Sequence, residues 1–429
     1  MLKKILVLFI FCLFANQVCA QDLFKTLSDA FKNNSKLNAQ RASLNASEQD
    51  VNISRGDFLP TVTLSGDKAT QKDTDRKNLS GESLLDTHST PETRSVLVEQ
   101  KIFDGFSNYN NLKRSKLELE YAKLELNKLE QKILLSAAEA YYSLGYYFKS
   151  FEFNQLNVEL FERQVESDKS RLERGEISLT DFAQSESSLA GARAKMITAS
   201  NELISGKKNF QKIIGSNAPE EINLGFLPKL KIPTSLETAT AIAEQINPRL
   251  NLAKIDLEVA KKDLFVARGE LSPSASISYS LKKNEELSST VDEREQEEVK
   301  ATITWPIFKG GKNLSSVKKA KFKVEEKQLI LKDVFSQVQI DTANAWTTYN
   351  SSRGILDATE AQLKAAEIAN EGITLEYDTG NKRTILEVVQ SRTLLLDART
   401  SYAKAQKDFA IAQFSLLASI GDLYLDNIN

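Results

Sequence analysis

The residue types that usually carry enzyme chemistry are scarce in this sequence. His88 is the single histidine, so no second imidazole shares acid–base work or a metal ion with it, and there are only two methionines. Both cysteines, Cys12 and Cys19, lie within the first twenty residues. The sequence has no Gly-rich phosphate loop and no nucleophile elbow. We therefore predict a protein that is not an enzyme, with no cofactor and no metal site.

The first twenty residues have the pattern of a secretory signal peptide. Two lysines precede an apolar run over residues 5–15, and Val18 and Ala20 occupy the cleavage positions. The run is shorter than the roughly 20 residues that a membrane helix needs. We expect cleavage after Ala20. Lipidation at Cys19 is the minor alternative, because valine rather than a small residue precedes that cysteine.

Charge and hydropathy narrow the class of the exported chain. A formal net charge of -2 gives no electrostatic case for nucleic acid as a partner. After the signal peptide, no apolar stretch is long enough for a membrane helix. The chain is therefore expected to be soluble outside the cytoplasm or to enter a membrane as a closed β-barrel.

The sequence is internally duplicated. The tetrapeptide Ile-Phe-Asp-Gly at 102–105 is echoed by Ile-Phe-Lys-Gly at 307–310, 205 residues later, and Gly175 is echoed by Gly380 at the same offset. After each of these two glycines, apolar residues recur every seven positions, and the two series are offset by 206 residues. One residue is thus inserted just after the second glycine.

The repeat defines the predicted domains. After the signal peptide at 1–20, we expect a first repeat over 21–218, a linker with three prolines over 219–233, and a second repeat over 234–429. The seven-residue period indicates helices packed along their whole length. No proline interrupts the long segment before either turn glycine, which predicts two helices of roughly 100 Å at 1.5 Å per residue.

Before each long helix, the apolar period changes from helical to alternating. Residues 272–281 and 299–305 alternate in the second half, and 58–64 and 96–98 do so in the first. Strands of about ten residues have the length that a tilted strand needs to cross a bilayer, although a hairpin in a soluble sheet has the same pattern. Four strands cannot close a barrel, whereas three chains would supply twelve. We interpret the polar segments that connect the paired strands, 68–94 and 285–298, as extracellular loops.

In its duplicated order and in the motifs at 102–105, 306–311, Gly175 and Gly380, the chain resembles the TolC family of outer-membrane factors. The resemblance implies a mixed α and β membrane protein. Its trimeric twelve-stranded outer-membrane β-barrel, with four strands per chain, would continue into a long periplasmic α-helical coiled-coil barrel. It also implies an exit duct for efflux or type I secretion, located in the outer membrane and extending into the periplasm.

The resemblance further implies a periplasmic gate near the two turn glycines. Tyr377 matches the family's tyrosine before the second glycine, and Arg383 its arginine just after it; Asp181 matches an acidic position of the first half. Glu387 stands where the family's prototype has Asp. The planar guanidinium of Arg383 is suited to bond either carboxylate. The turns at Gly175 and Gly380 are also where the family's adaptor docks.

The partners implied are two further copies of the chain, a periplasmic adaptor (membrane fusion protein), an inner-membrane RND or ABC transporter, and outer-membrane lipid. The sequence does not identify the cargo. The main alternative is a periplasmic adaptor-like coiled-coil protein of an export system. An adaptor should carry one helical hairpin flanked by small β domains, whereas this chain has two copies of its unit.

Overall fold

The structure is a computed structural model that describes residues 23–288, 291–379 and 383–428. The predicted signal peptide, Cys19 and Gly380 lie outside these residues. The described residues form two compact units. The strand unit comprises 43–123 and 252–332, and the helical unit comprises the remainder.

The helices repeat in length between the two halves. Helix α1 covers 23–33, and the two halves then each contain one helix of 22, one of 67 and one of 36 residues. In the first half these are α2 (Ser35–Gly56), α3 (Ser107–Glu173) and α4 (Leu179–Ile214); in the second, after α5 (Leu236–Ile246), they are α6 (Pro248–Gly269), α7 (Lys312–Asp378) and α8 (Ile385–Ile420). The predicted duplication is therefore confirmed. None of the described helices combines the length and the hydrophobicity of a membrane span.

The strand unit contains a four-stranded antiparallel sheet of β1 (Thr61–Lys68), β4 (Glu92–Phe103), β5 (Ser274–Ser288) and β6 (Val291–Thr304), in that order. The pairing of β4 with β5 joins the hairpin of one half to that of the other. Along the register, Val62, Val98, Tyr279 and Val299 form one row across all four strands. Because neighbouring residues of a strand point to opposite faces, these apolar side chains share one face of the sheet.

The polar connections between paired strands differ from the prediction. Most of the expected loop over 285–298 is strand, because β5 continues to Ser288 and β6 begins at Val291. Lys283 lies opposite Glu295 and bonds Glu293 on β6, so paired opposite charges continue the ladder beyond the apolar residues. The expected loop over 68–94 contains a short hairpin of its own, formed by β2 (Gln71–Asp73) and β3 (Thr87–Ser89).

The core of the helical unit lies where α3 packs with the C-terminal parts of α4 and α8. Tyr141, Tyr142, Phe210 and Phe414 are all fully buried, and the ring of Tyr142 contacts that of Phe414. A 3-10 helix at Leu425–Asn427 follows α8. Residues 215–234, which include the predicted linker, contain turns and no regular element. The domain boundaries drawn from the repeat stay a prediction.

Small residues recur every seven positions on both 36-residue helices. On α4, the buried residues Ser185, Ala192, Ala199 and Gly206 follow this spacing. Their counterparts on α8, 206 residues later, are equally buried: Ser391, Ala398, Ala405 and Ala412. Such residues allow close packing, since a Cβ on Gly206 would meet the ring of Tyr147 at 2.5 Å.

Candidate functional site

The candidate site lies in the helical unit, where α3 turns into α4 and α7 into α8. Helix α3 ends at Glu173, and Gly175 follows it with a φ of 75°, in the left-handed region that residues with a side chain rarely adopt. The N–H of Gly175 donates to the carbonyl of Leu172, and that of Glu176 donates to Arg171 across 2.9 Å. These bonds satisfy carbonyls at the helix end, as the predicted turn role of Gly175 requires. Its counterpart Gly380 lies outside the described residues.

The helices that follow the two turns, α4 and α8, begin with the same capping box. The hydroxyl of Ser178 accepts from the N–H of Asp181, and the carboxylate of Asp181 accepts from the N–H of Ser178. Thr384 and Glu387 repeat this exchange at the start of α8. The hydroxyl and then the backbone N–H of Ser178 hold the pKa of Asp181 below its ordinary value. Asp181 is thus engaged with its own helix start rather than with Arg383.

Arg383 joins the last turn of α7 to the first turn of α8. Its Nε donates to Glu376 at 2.6 Å, and one terminal nitrogen donates to Glu387 at 2.9 Å. These two carboxylates, Glu376 first, raise the pKa of the guanidinium. Arg383 is exposed and both carboxylates are partly exposed, so the cluster is a surface ion-pair network. Of the two carboxylates that the sequence offered to Arg383, the structure brings Glu387 to it.

Tyr377 is buried, with 8% of its surface exposed. Its hydroxyl donates to Oδ1 of Asp168 on α3 across 3.2 Å. The guanidinium of Arg171 lies 4.8 Å from the centre of the phenol ring, within cation–π range. Burial, followed by the charge of Asp168, raises the pKa of Tyr377 to about 12. The ring packs against apolar side chains of both hairpins: Ile177, Ile373, Ile385, Val388 and Val389.

Asp168 is the centre of the site and was not predicted from the sequence. It is fully buried and accepts three hydrogen bonds from side chains of three helices. Besides Tyr377 of α7, Gln164 of α3 donates to Oδ1 at 2.9 Å and Ser185 of α4 donates to Oδ2 at 2.6 Å. These bonds supply the compensation that a buried carboxylate requires. We call Gln164, Asp168, Ser185 and Tyr377 the buried cluster.

A sequence signal for Asp168 did exist. Phe161, seven residues earlier, is buried on the same helix and packs against α4. Asp168 therefore occupies the next equivalent position of the apolar stripe, where a polar residue costs stability and fixes register. Arg392 of α8 lies close by, half-buried, and donates to the carbonyl of Leu160. Burial lowers the pKa of Arg392, while the charges of Asp378 and Asp168 oppose that shift.

The sequence matches the model of a known protein family. The model of the outer membrane efflux protein family matches residues 26–216 and 241–422, one segment in each half of the chain. The chain belongs to the outer membrane efflux protein family. Members are transport channels of the outer membrane that extend into the periplasm, and this efflux protein is an exit duct for efflux or type I secretion. The adaptor-like alternative is therefore wrong.

Individual relatives cover nearly the whole efflux protein. Outer membrane protein TolC of Vibrio cholerae serotype O1 is 24% identical over 98% of this chain and 96% of its own. Outer membrane efflux protein BepC of Brucella suis biovar 1 is 23% identical over 95% of this chain and 87% of its own. Among solved structures, the Campylobacter jejuni CmeC outer membrane channel matches with a TM-score of 0.82 at 15% identity, covering 94% of this chain and 86% of that channel. The predicted channel fold is confirmed.

Proposed function

We propose that this efflux protein is a homotrimeric exit duct whose periplasmic end is held closed by the buried cluster and by the Arg383 network. The observation that carries the proposal is the hydrogen bond from Tyr377 to Asp168. It ties the end of α7 to α3 and, through Ser185, to α4. The two hairpins of one chain are therefore fastened together at their turns by a small number of polar contacts.

The free energies of these polar contacts are of the size that a reversible gate requires. A hydrogen bond to a charged partner contributes about 1.5–3 kcal/mol, and three symmetric copies would multiply the effect on one shared opening. The exposed pairs of Arg383 add less, because solvent screens them. The sum is large enough to hold a closed state and small enough for a docking partner to overcome. Tyr377, Arg383 and Glu387 are thus proposed gate residues, whereas Asp168 takes the place first assigned to Asp181.

The sheet supports the trimer. β1 and β6 are the two terminal strands of a four-stranded sheet, and even small membrane barrels need about eight strands. Three chains that paired β1 with β6 of a neighbour would supply twelve strands and leave no open edge. The apolar row from Val62 to Val299 would then face outer-membrane lipid, since the outer surface of a membrane barrel is apolar.

The partners follow from the turns and from the relatives. Gly175 has open space where a side chain would begin, so the turn is free to meet another protein. We propose that a periplasmic adaptor docks at the turns of Gly175 and Gly380 and connects the duct to an inner-membrane transporter of the RND or ABC class. One relative is named the alkaline protease secretion protein AprF, and another the efflux protein BepC, so a duct for either secretion or efflux fits.

The test is single-channel conductance in a planar bilayer. The double variant Y377F/R383S removes the phenol hydroxyl and the guanidinium but keeps the apolar packing around the ring. We expect it to assemble as a trimer and to conduct more than the wild type, because the narrowest part of the duct would be released. An assembled double variant whose conductance equals that of the wild type would overturn the gate.

A further inference from the structure

The two oxygens of the Asp168 carboxylate are divided between different helices. Oδ2 accepts from Ser185 of α4 at 2.6 Å, and Oδ1 accepts from Gln164 and from Tyr377. The serine bond has the short length typical of a hydroxyl on a carboxylate. The tyrosine bond, at 3.2 Å, is longer than the usual 2.7–2.8 Å or so for a hydroxyl donor. The weaker contact is therefore the one between the hairpins, and the stronger one lies within a hairpin.

A carboxylate can turn about the bond to its Cβ, and the torsion is broad. The direction in which Oδ1 points then depends on what holds Oδ2. Ser185 is itself fully buried, so water does not compete for this bond. Without the hydroxyl, Oδ2 would be a buried, charged acceptor with no donor, and the carboxylate would have to turn away from Tyr377 or admit water.

We infer that Ser185 is a positioning residue of the gate, which orients Asp168 so that Oδ1 receives the hydroxyl of Tyr377. This inference rests on the gate proposed above and extends it to a residue of the neighbouring helix. The hydroxyl of Ser185 donates to the carboxylate of Asp168, and Ser185 therefore acts on Tyr377 through that carboxylate. The closed state thus depends on α4 as well as on the two helices that the tyrosine bond joins.

The second half of the chain supplies a matched control. Ser391 lies 206 residues after Ser185, is buried to a similar degree, and occupies the equivalent position on α8. Its hydroxyl contacts Oδ1 of Asn370 at 3.2 Å and donates to the carbonyl of Val388 at 3.0 Å. The partner there is a neutral amide rather than the carboxylate that binds Tyr377. Ser391→Ala therefore removes a similar buried hydroxyl without disturbing Asp168.

The experiment compares S185A, S391A, S185T and Y377F, each as a purified full-length channel in a planar bilayer. We expect S185A to shift the ratio of open to closed channels roughly tenfold toward open, as loss of a charge-assisted bond would. S391A should leave the ratio at the wild-type value. S185T keeps a hydroxyl and should restore closure. In S185A/Y377F, the two changes should not add, because both act on the same bond.

Each result separates the inference from the proposed function. If Y377F leaves the conductance unchanged, the gate itself fails. If Y377F opens the channel but S185A does not, or if S391A opens it as much as S185A, Ser185 has no special part and the inference is overturned. Should S185A fail to assemble, S185G removes the same hydroxyl, and an open ratio equal to that of the wild type would also overturn the inference.

Discussion

Asp181 and Glu387 lie 206 residues apart and play the same structural part in the two halves, each accepting the backbone N–H of the residue that caps its own helix. The family resemblance implied a gate role for both. The structure separates them, because only Glu387 also bonds Arg383. A shared cap thus accounts for both carboxylates, and the additional contact distinguishes one of them.

The shared cap predicts equal losses in the two halves. Replacing Ser178 or Thr384 by Ala should each cost about 0.5–2 kcal/mol of local stability, because an N–H at the helix start loses its acceptor. Hydrogen exchange of the first turn of α4 or α8 measures this loss. T384A should additionally loosen the Arg383 network, because Glu387 loses one of its anchors. Faster exchange in only one of the two variants would contradict the equivalence of the caps.

The raised pKa of Tyr377 predicts a pH dependence at alkaline pH. Its pKa is raised from 10.0 to about 12, so between these values the folded site keeps a proton that the unfolded chain releases. The contribution of Tyr377 to stability is therefore complete below pH 10 and is lost as the pH rises toward 12. The conductance of the wild type should rise over this interval and approach that of Y377F, which lacks the titrating group. Parallel curves for the two proteins would contradict the assignment.

The terminal strands predict a trimer. Lysine-directed cross-linking of the purified protein in mild detergent should give bands of one, two and three chains and no higher species, because three chains close the sheet. A gel run without heating should show the trimer band alone. Only monomers under both conditions would rule out the proposed closure between β1 of one chain and β6 of its neighbour.

The short hairpin of β2 and β3 predicts where the chain meets the exterior. Gly81 lies in an exposed turn of the segment between these strands, where its N–H donates to Asn78, and its φ of 84° suits a glycine. An epitope inserted after Gly81 should be labelled by antibody on intact cells. The same epitope beside Asn217, in the segment between α4 and α5, should need a permeabilised outer membrane. Labelling with the opposite pattern would reverse the orientation of the chain.

The sequence predicted more of the fold than of the site, because a periodic pattern indicates secondary structure and not individual side-chain contacts. A seven-residue apolar period indicates a helix, and turn glycines such as Gly175 mark where a helix ends. The long helices of 67 and 36 residues could therefore be anticipated. The ends of β5 and β6 could not, because cross-strand ion pairs such as Lys283 with Glu293 continue a strand without any apolar residue. Asp168 was missed because an acid is normally assigned to the surface, although its position follows that of Phe161.

Asp168 and Tyr377 have no counterparts of the same type in the other half of the duplicated chain. The residue 205 positions after Asp168 is Ile373, and the residue 205 positions before Tyr377 is Leu172. A ring of three chains would have six hairpins of one design but only three such fastenings, one in each chain. The six hairpins would therefore have nearly sixfold symmetry along the wall, but only threefold symmetry at the closed end. Opening would then release three fastened seams, one within each chain, which alternate with three seams between chains that carry no such bond.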